Sequence, residues 1–268
     1  NCALKINPNH ADAHYNKGIT EQDSKNFEAS VVSFENSVKI VPDFLEAHNN
    51  LGVSLDRLGM HSQAISEFKK VLGLNPKFAE AHYNMGNSLK RKGQLSSAIK
   101  SYNLAFKYNP QYAQSFNNLG VTYLDLGDLE KAKDNFERAL EIREDHVDAI
   151  WNLCGVSESV LEAQKWLDKC LKVDSKFEKA VLSNAALKYY VDDHDALDEL
   201  RNSHLGDHPY TRSYNWFFDL ENIPKLFFHR WALFDYVISV SDKRRPFYEF
   251  GVWQGEAFKY LIKAYKKG

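Results

Sequence analysis

The sequence predicts a mainly α fold: a right-handed superhelical solenoid of antiparallel helix hairpins, followed by a small truncated α/β remnant. Three observations predict it. A 34-residue unit repeats four times between Ala11 and His146, and a period of that length marks stacked helical hairpins. Glycine recurs at position eight of the unit (Gly18, Gly52, Gly86, Gly120) and a large aromatic ring at position 24 (Phe34, Phe68, Tyr102, Phe136). Proline stands at position 32 of the first three units, as Pro42, Pro76 and Pro110, where it ends the second helix.

The elements follow in order. Residues 1–10 read as the last ten positions of an earlier unit, with Ala3 and Pro8 in register, so the chain is expected to begin inside a repeat. Units 11–44, 45–78, 79–112 and 113–146 are each a helix pair, whose close approach is permitted by the glycine and by Ser30, Ala64, Ala98 and Ala132 at position 20. The shortened unit 147–177 keeps Asn152 and Leu153 but carries Cys154 at the glycine position and has no closing proline. A degenerate pair spans 178–202. Such decay is expected where repeats must cap an apolar stack. Asn-Asn-Leu-Gly at 49–52, Ala-Ile at 64–65 and Leu-Asn-Pro at 74–76 resemble the tetratricopeptide repeat (TPR) family. That resemblance implies a TPR array over residues 1–202.

With 268 residues, 44% of them hydrophobic, the chain can bury a large core, and a net charge of -2 gives no electrostatic reason to expect nucleic acid. Cys2, Cys154 and Cys170 lack the paired spacing of a zinc site or a disulfide framework, which suits a reducing compartment. No apolar run approaches the roughly 18 residues of a membrane span, and no signal-peptide pattern is present. A cytoplasmic protein without nucleic-acid or membrane partners is the expectation. The repeats carry no nucleophile elbow, zinc-binding helix motif or phosphate-binding loop.

From Asn202 to Asn222 the register gives way to His, Gly, Pro and aromatic residues, which places a domain boundary at 202/203. Residues 223–241 read as a helix with Pro224 in its first turn. Phe247 to Phe250 read as a short strand, and residues 256–267 as a second helix. The turn between them, Glu249-Phe-Gly251-Val-Trp-Gln-Gly255, sets a carboxylate at the strand's end and glycines where backbone approaches a ligand, as nucleotide sites do. Phe-Tyr-Glu-Phe-Gly-Val-Trp-Gln-Gly is similar to the first motif of S-adenosylmethionine-dependent methyltransferases, and to the start of the macrocin O-methyltransferase group in particular. The resemblance implies that Glu249, Gly251 and Gly255 contact the cofactor. It covers only about residues 213–268 and stops before the second strand of that fold, so this chain is expected to hold no cofactor and to be inactive. S-adenosylmethionine binding would belong to a longer parent. Some other α/β domain, or a cap on the last repeat, is the alternative.

Asparagine fills position six of five units: Asn16, Asn50, Asn84, Asn118 and Asn152. At 3.6 residues per turn, positions two, six, nine and thirteen share one helix face. Each amide offers an acceptor and two donors to a peptide unit, and a helix spacing of about 8–10 Å matches the reach of three extended residues. The TPR resemblance implies that this face lines the concave groove. Ala-His-Asn-Asn-Leu-Gly at 47–52 also resembles repeats of O-linked N-acetylglucosamine transferases, which carry a similar asparagine row. A merely solvated helix face is the alternative. Asp12, Glu46, Glu80, Gln114 and Asp148 at position two bias the groove toward basic or neutral partners, or are themselves only solvated. His14, His48 and His82 at position four are too far apart for bonds of about 2 Å to one metal ion and read as packing residues.

The function expected is a scaffold that binds protein or extended peptide, joined in a longer parent to a methyltransferase. A purely structural module, self-associating through its truncated ends, and the repeat domain of a glycosyltransferase-type parent are the other readings. Calorimetry with S-adenosylmethionine checks the first: no binding by this chain, and binding once it is extended through its natural downstream sequence. Binding by neither would mean that the glycine turn is misread.

Overall fold

In the computed structural model the described residues are 2–157, 160–190, 199 and 202–203, and every regular element among them is an α-helix. The chain divides into two compact units, the first ending at Glu144 and the second starting at Asp145. The first holds α1 (Cys2–Ile6) and four pairs: α2 (Ala11–Asp23) with α3 (Phe27–Ile40), α4 (Leu45–Arg57) with α5 (His61–Leu74), α6 (Ala79–Arg91) with α7 (Leu95–Tyr108), and α8 (Ala113–Asp125) with α9 (Leu129–Ile142). The second holds α10 (Val147–Gly155), α11 (Val160–Val173) and α12 (Glu178–Tyr190).

Every pair of the first unit thus occupies the same stretch of its 34-residue repeat. Within each pair the helices pack on one another, and α3, α5 and α7 also pack on the first helix of the following pair. The first helices α2, α4, α6 and α8 touch in sequence as well, forming the inner row of this unit. In the second unit α10 has nine residues where α2, α4, α6 and α8 have thirteen. The shortening seen in the sequence therefore falls on the last turn of the first helix. The helix expected at 223–241, the strand at 247–250 and the glycine turn lie outside the described residues.

What sets the packing is a glycine against a ring. A Cβ built on Gly18 would stand 2.6 Å from the Phe34 ring, one on Gly52 2.5 Å from Phe68, one on Gly86 2.6 Å from Tyr102 and one on Gly120 2.5 Å from Phe136. Those distances are shorter than any real carbon contact, so each ring fills the place a side chain would take. The four rings are fully buried, as are Ser30, Ala64, Ala98 and Ala132 beside them. Burying one such ring contributes about 2 kcal/mol or more. The core also passes between pairs, because Phe34 clusters with Leu51, Leu55 and Phe68, and Ile65 with Leu89, Tyr102 and Leu119.

The turn inside each pair is equally regular. Gly59, Gly93 and Gly127 adopt φ of 78°, 74° and 80°. The amide of the glycine bonds the carbonyl three residues back and the next amide reaches five back, as in Gly59 to Asp56 and Met60 to Leu55. This is the Schellman ending of a helix, for which glycine is the unstrained residue. Lys25 takes the same place in the first pair at φ 59°, a conformation that costs a side-chain-bearing residue about 1 kcal/mol.

Replacing Gly52 by Ala forces its methyl group into the Phe68 ring and should lower stability by about 1–3 kcal/mol. Gly73→Ala, in a helix where a Cβ meets nothing within 4 Å, should instead gain up to about 1 kcal/mol. Thermal unfolding followed by circular dichroism separates the two. An unchanged midpoint for Gly52→Ala would refute the ring contact as the packing constraint.

Candidate functional site

The position-six asparagines of the first unit lie on the first helices, and the row is tied together from one pair to the next. Asn50 Nδ2 donates to Tyr15 Oη at 3.1 Å, Asn84 Nδ2 to Asn49 Oδ1 at 3.3 Å, and Asn118 Nδ2 to Tyr83 Oη at 3.1 Å. In each bond the acceptor is the position-five side chain of the preceding pair. Asn118 also donates to Asn87 Oδ1 at 2.8 Å. Asn16 is exposed, while Asn50, Asn84 and Asn118 are half-buried. Asn152, also half-buried, belongs to α10 in the second unit. The expected amides are therefore not wholly free: Asn50 and Asn84 each spend one N–H on the preceding pair, and Asn118 spends both. The carbonyl oxygens of Asn50 and Asn84 accept no hydrogen bond among the described residues.

Position five was the part of the site that pattern reading missed. It alternates between aromatic and amide residues, as Tyr15, Asn49, Tyr83, Asn117 and Trp151. The tyrosines are anchored by rings at position 34 of their own pair, Tyr15 against Phe44 at 5.0 Å and Tyr83 against Tyr112 at 4.8 Å. Trp151 meets Phe177 edge-on at 5.8 Å in the second unit. Asn49 is buried and donates to Glu80 Oε1 at 2.9 Å. A two-unit alternation was visible in the sequence and is the signal that could have found these residues.

The position-four histidines have a polar role beyond packing. His14, His48 and His82 each set Nε2 at 2.9 Å from the carbonyl oxygen of a proline six residues earlier: Pro8, Pro42 and Pro76. Each ties the first helix to the preceding inter-pair turn. His48 has a second acceptor, Glu67 Oε2, at 2.7 Å from Nδ1. An acceptor on both nitrogens favours the doubly protonated ring, which alone can donate to both. The hydrogen bond to Glu67 accordingly holds the His48 pKa above its ordinary value. Burial pushes Glu67 upward, but hydrogen bonds from His48 and Lys70 outweigh it and hold the carboxylate below its ordinary value. The pair borders a surface pocket of about 700 Å³ that Val38, Pro42, Leu51 and Leu74 also line.

A second polar knot joins the pairs at Asp56, which accepts from His61 at 2.8 Å and Ser88 at 2.7 Å and pairs with Arg91. Cys154 and Cys170 are free thiols whose pKa values burial pushes up to about 12 and about 11. That makes both poor nucleophiles. Among the described residues no group of three or more His, Cys, Asp or Glu side chains is placed to hold a metal ion. No described helix is long and apolar enough to cross a membrane. Glu249, Gly251 and Gly255 lie outside the described residues.

Two family profiles match the repeats: one described as tetratricopeptide repeat over residues 77–145, the other as TPR repeat over residues 57–93. Residues 57–145 are thus tetratricopeptide repeats, and the helix-hairpin solenoid of the first unit is the TPR fold. Among solved structures, Pseudomonas aeruginosa PilF is 19% identical with a TM-score of 0.66, covering 77% of this chain and 96% of its own. A thermophilic TPR protein of Thermus thermophilus is 20% identical with a TM-score of 0.57, covering 67% and 100%. YrrB, described as a TPR protein with an unusual peptide-binding site, is 19% identical with a TM-score of 0.50, covering 68% and 95%. Among curated proteins none matches the chain.

The His48–Glu67 pair makes stability depend on pH. A raised histidine pKa contributes fully below the ordinary 6.5, and the contribution is lost as pH rises through the folded value. The lowered Glu67 contributes above its ordinary 4.5 and is lost as pH falls through its folded value. The pair should therefore stabilise most between about pH 5 and pH 6. Chemical unfolding of the protein and of His48→Phe, the residue that Phe116 supplies at this register, measures the effect. The difference between them should shrink by about 1.5 kcal/mol from pH 6 to pH 9. A difference independent of pH would show that His48 is not charged.

Proposed function

We propose that the inner row of helices α2, α4, α6 and α8 is a docking face for an extended protein segment, and that the chain is a protein-recognition scaffold. One observation carries this reading: amide carbonyls recur on that face at single-unit steps, each held in orientation by a bond to the preceding pair. Such an acceptor takes a backbone N–H whatever the side chain of the bound residue. Because an N–H of each amide is already spent, little ordering remains to be done on binding, and preorganisation of that kind raises affinity. The fold accommodates such a use, as YrrB's described peptide-binding site illustrates. A methyltransferase role for residues 203–268, with Glu249, Gly251 and Gly255 at the cofactor, is a separate reading that stands on the sequence resemblance and is decided by the calorimetric titration above.

The docking face is tested by selecting ligands for the whole chain from a displayed library of random dodecapeptides and measuring the enriched peptides by calorimetry. Asn50→Ala, Asn84→Ala and Asn118→Ala together should weaken binding roughly 100-fold, as expected for three lost hydrogen bonds, with the helical circular dichroism retained. Failure to enrich any peptide, or unchanged affinity in the triple variant, would defeat the proposal.

A further inference from the structure

The position-five tyrosines hold an unspent donor beside the asparagine acceptors. Tyr15 Oη accepts from Asn50 and Tyr83 Oη from Asn118, yet neither hydroxyl donates its own proton to any partner among the described residues. In the first of these pairs the asparagine also has a carbonyl oxygen without a donor. One residue of an extended chain presents its N–H and its C=O toward the same edge. A tyrosine O–H for the carbonyl and an asparagine Oδ1 for the amide answer both groups at once. The same pairing recurs two units further on, at Tyr83 and Asn118, where Asn118 Oδ1 also takes a long 3.4 Å bond from Asn117 and has a second lone pair to offer. Between the two lies Asn49, satisfied internally by Glu80 and Asn84.

In the first turns of the helices that carry these pairs the charge has one sign. Asp12, Glu46 and Glu80 are exposed and stand in the first turns of α2, α4 and α6, where the helix termini favour them in any case. Burial, and after it the negative charge of Glu46 and Glu80 from successive units, hold the Tyr15 hydroxyl above its ordinary pKa. In α4 and α6 the basic residues sit at the opposite end, in the last turns, where Arg91 is paired with Asp56 and Lys90 with Asp125, while in α2 Lys17 stands mid-helix and pairs with Glu21 at 3.3 Å.

We propose that Tyr15 with Asn50, and Tyr83 with Asn118, form two backbone clamps for an extended peptide that carries lysine or arginine between them, opposite Glu46 and Glu80. The inference rests on the docking-face reading above and adds the partner's charge and the spacing of its contacts. Two unit steps of roughly 8–10 Å each correspond to about five or six extended residues between clamp points. The attraction of exposed carboxylates for a basic side chain falls with salt.

The test uses the enriched dodecapeptides themselves. They should be rich in lysine or arginine, and the double variant Tyr15→Phe/Tyr83→Phe, which keeps both rings, should bind them about tenfold more weakly for two lost hydrogen bonds. Glu46→Gln/Glu80→Gln should weaken them as well, and most at low salt. Thermal unfolding of each variant controls for folding. Enriched peptides without basic residues, or equal affinity in the Phe variant, would overturn this proposal and leave the docking face intact. Enrichment of nothing would remove the docking face and the clamps with it.

Discussion

The contact between the position-eight glycine and the position-24 ring is the constraint on which the rest of the first unit depends. A helix pair of this length cannot bury both its faces alone, and its neighbours must come close enough to share a core. Removing one side chain from the first helix lets a whole aromatic ring lie against its backbone. The ring then reaches the next pair, so that Phe34 and Phe68 belong to one cluster. The volumes match because the two positions are filled together. Where the ring carries a hydroxyl, at Tyr102, that group leaves the core to donate to Asn87 at 2.9 Å.

With the helices held at that distance, the polar residues between successive first helices have fixed partners, and the ladder from position five to position six follows. Tyrosine and asparagine at position five meet the same requirement, an acceptor for the next pair's amide, by different means. Tyrosine does so from a ring braced on Phe44 or Tyr112, and asparagine from a buried amide satisfied by Glu80. The consequence for the proposed recognition is that the unspent tyrosine hydroxyls recur every second pair, while the asparagine carbonyls recur at every pair.

The fifth unit shows what the regular turn contributes. Four residues fewer in α10 than in α8 remove the glycine that closes α4, α6 and α8, and Cys154 stands where a ring would otherwise be received. The boundary between the compact units falls at Glu144 and Asp145, just before this irregular helix.

Much of this was legible in the sequence because the decisive quantities are local and periodic. The 34-residue spacing determined the number of pairs. The glycines, rings and prolines determined where each helix starts, stops and touches its partner, since backbone conformation and side-chain volume are properties of single residues. The asparagine row could be placed on one helix face by the same arithmetic. Tertiary structure alone decided what those amides bond to, because Tyr15 and Asn50 are 35 residues apart and meet only after two pairs have stacked. It decided likewise that His48 bridges a proline carbonyl and Glu67. A period shows which residues are equivalent, whereas a hydrogen bond needs two particular atoms within about 3 Å, and that distance is set by packing rather than by spacing along the chain.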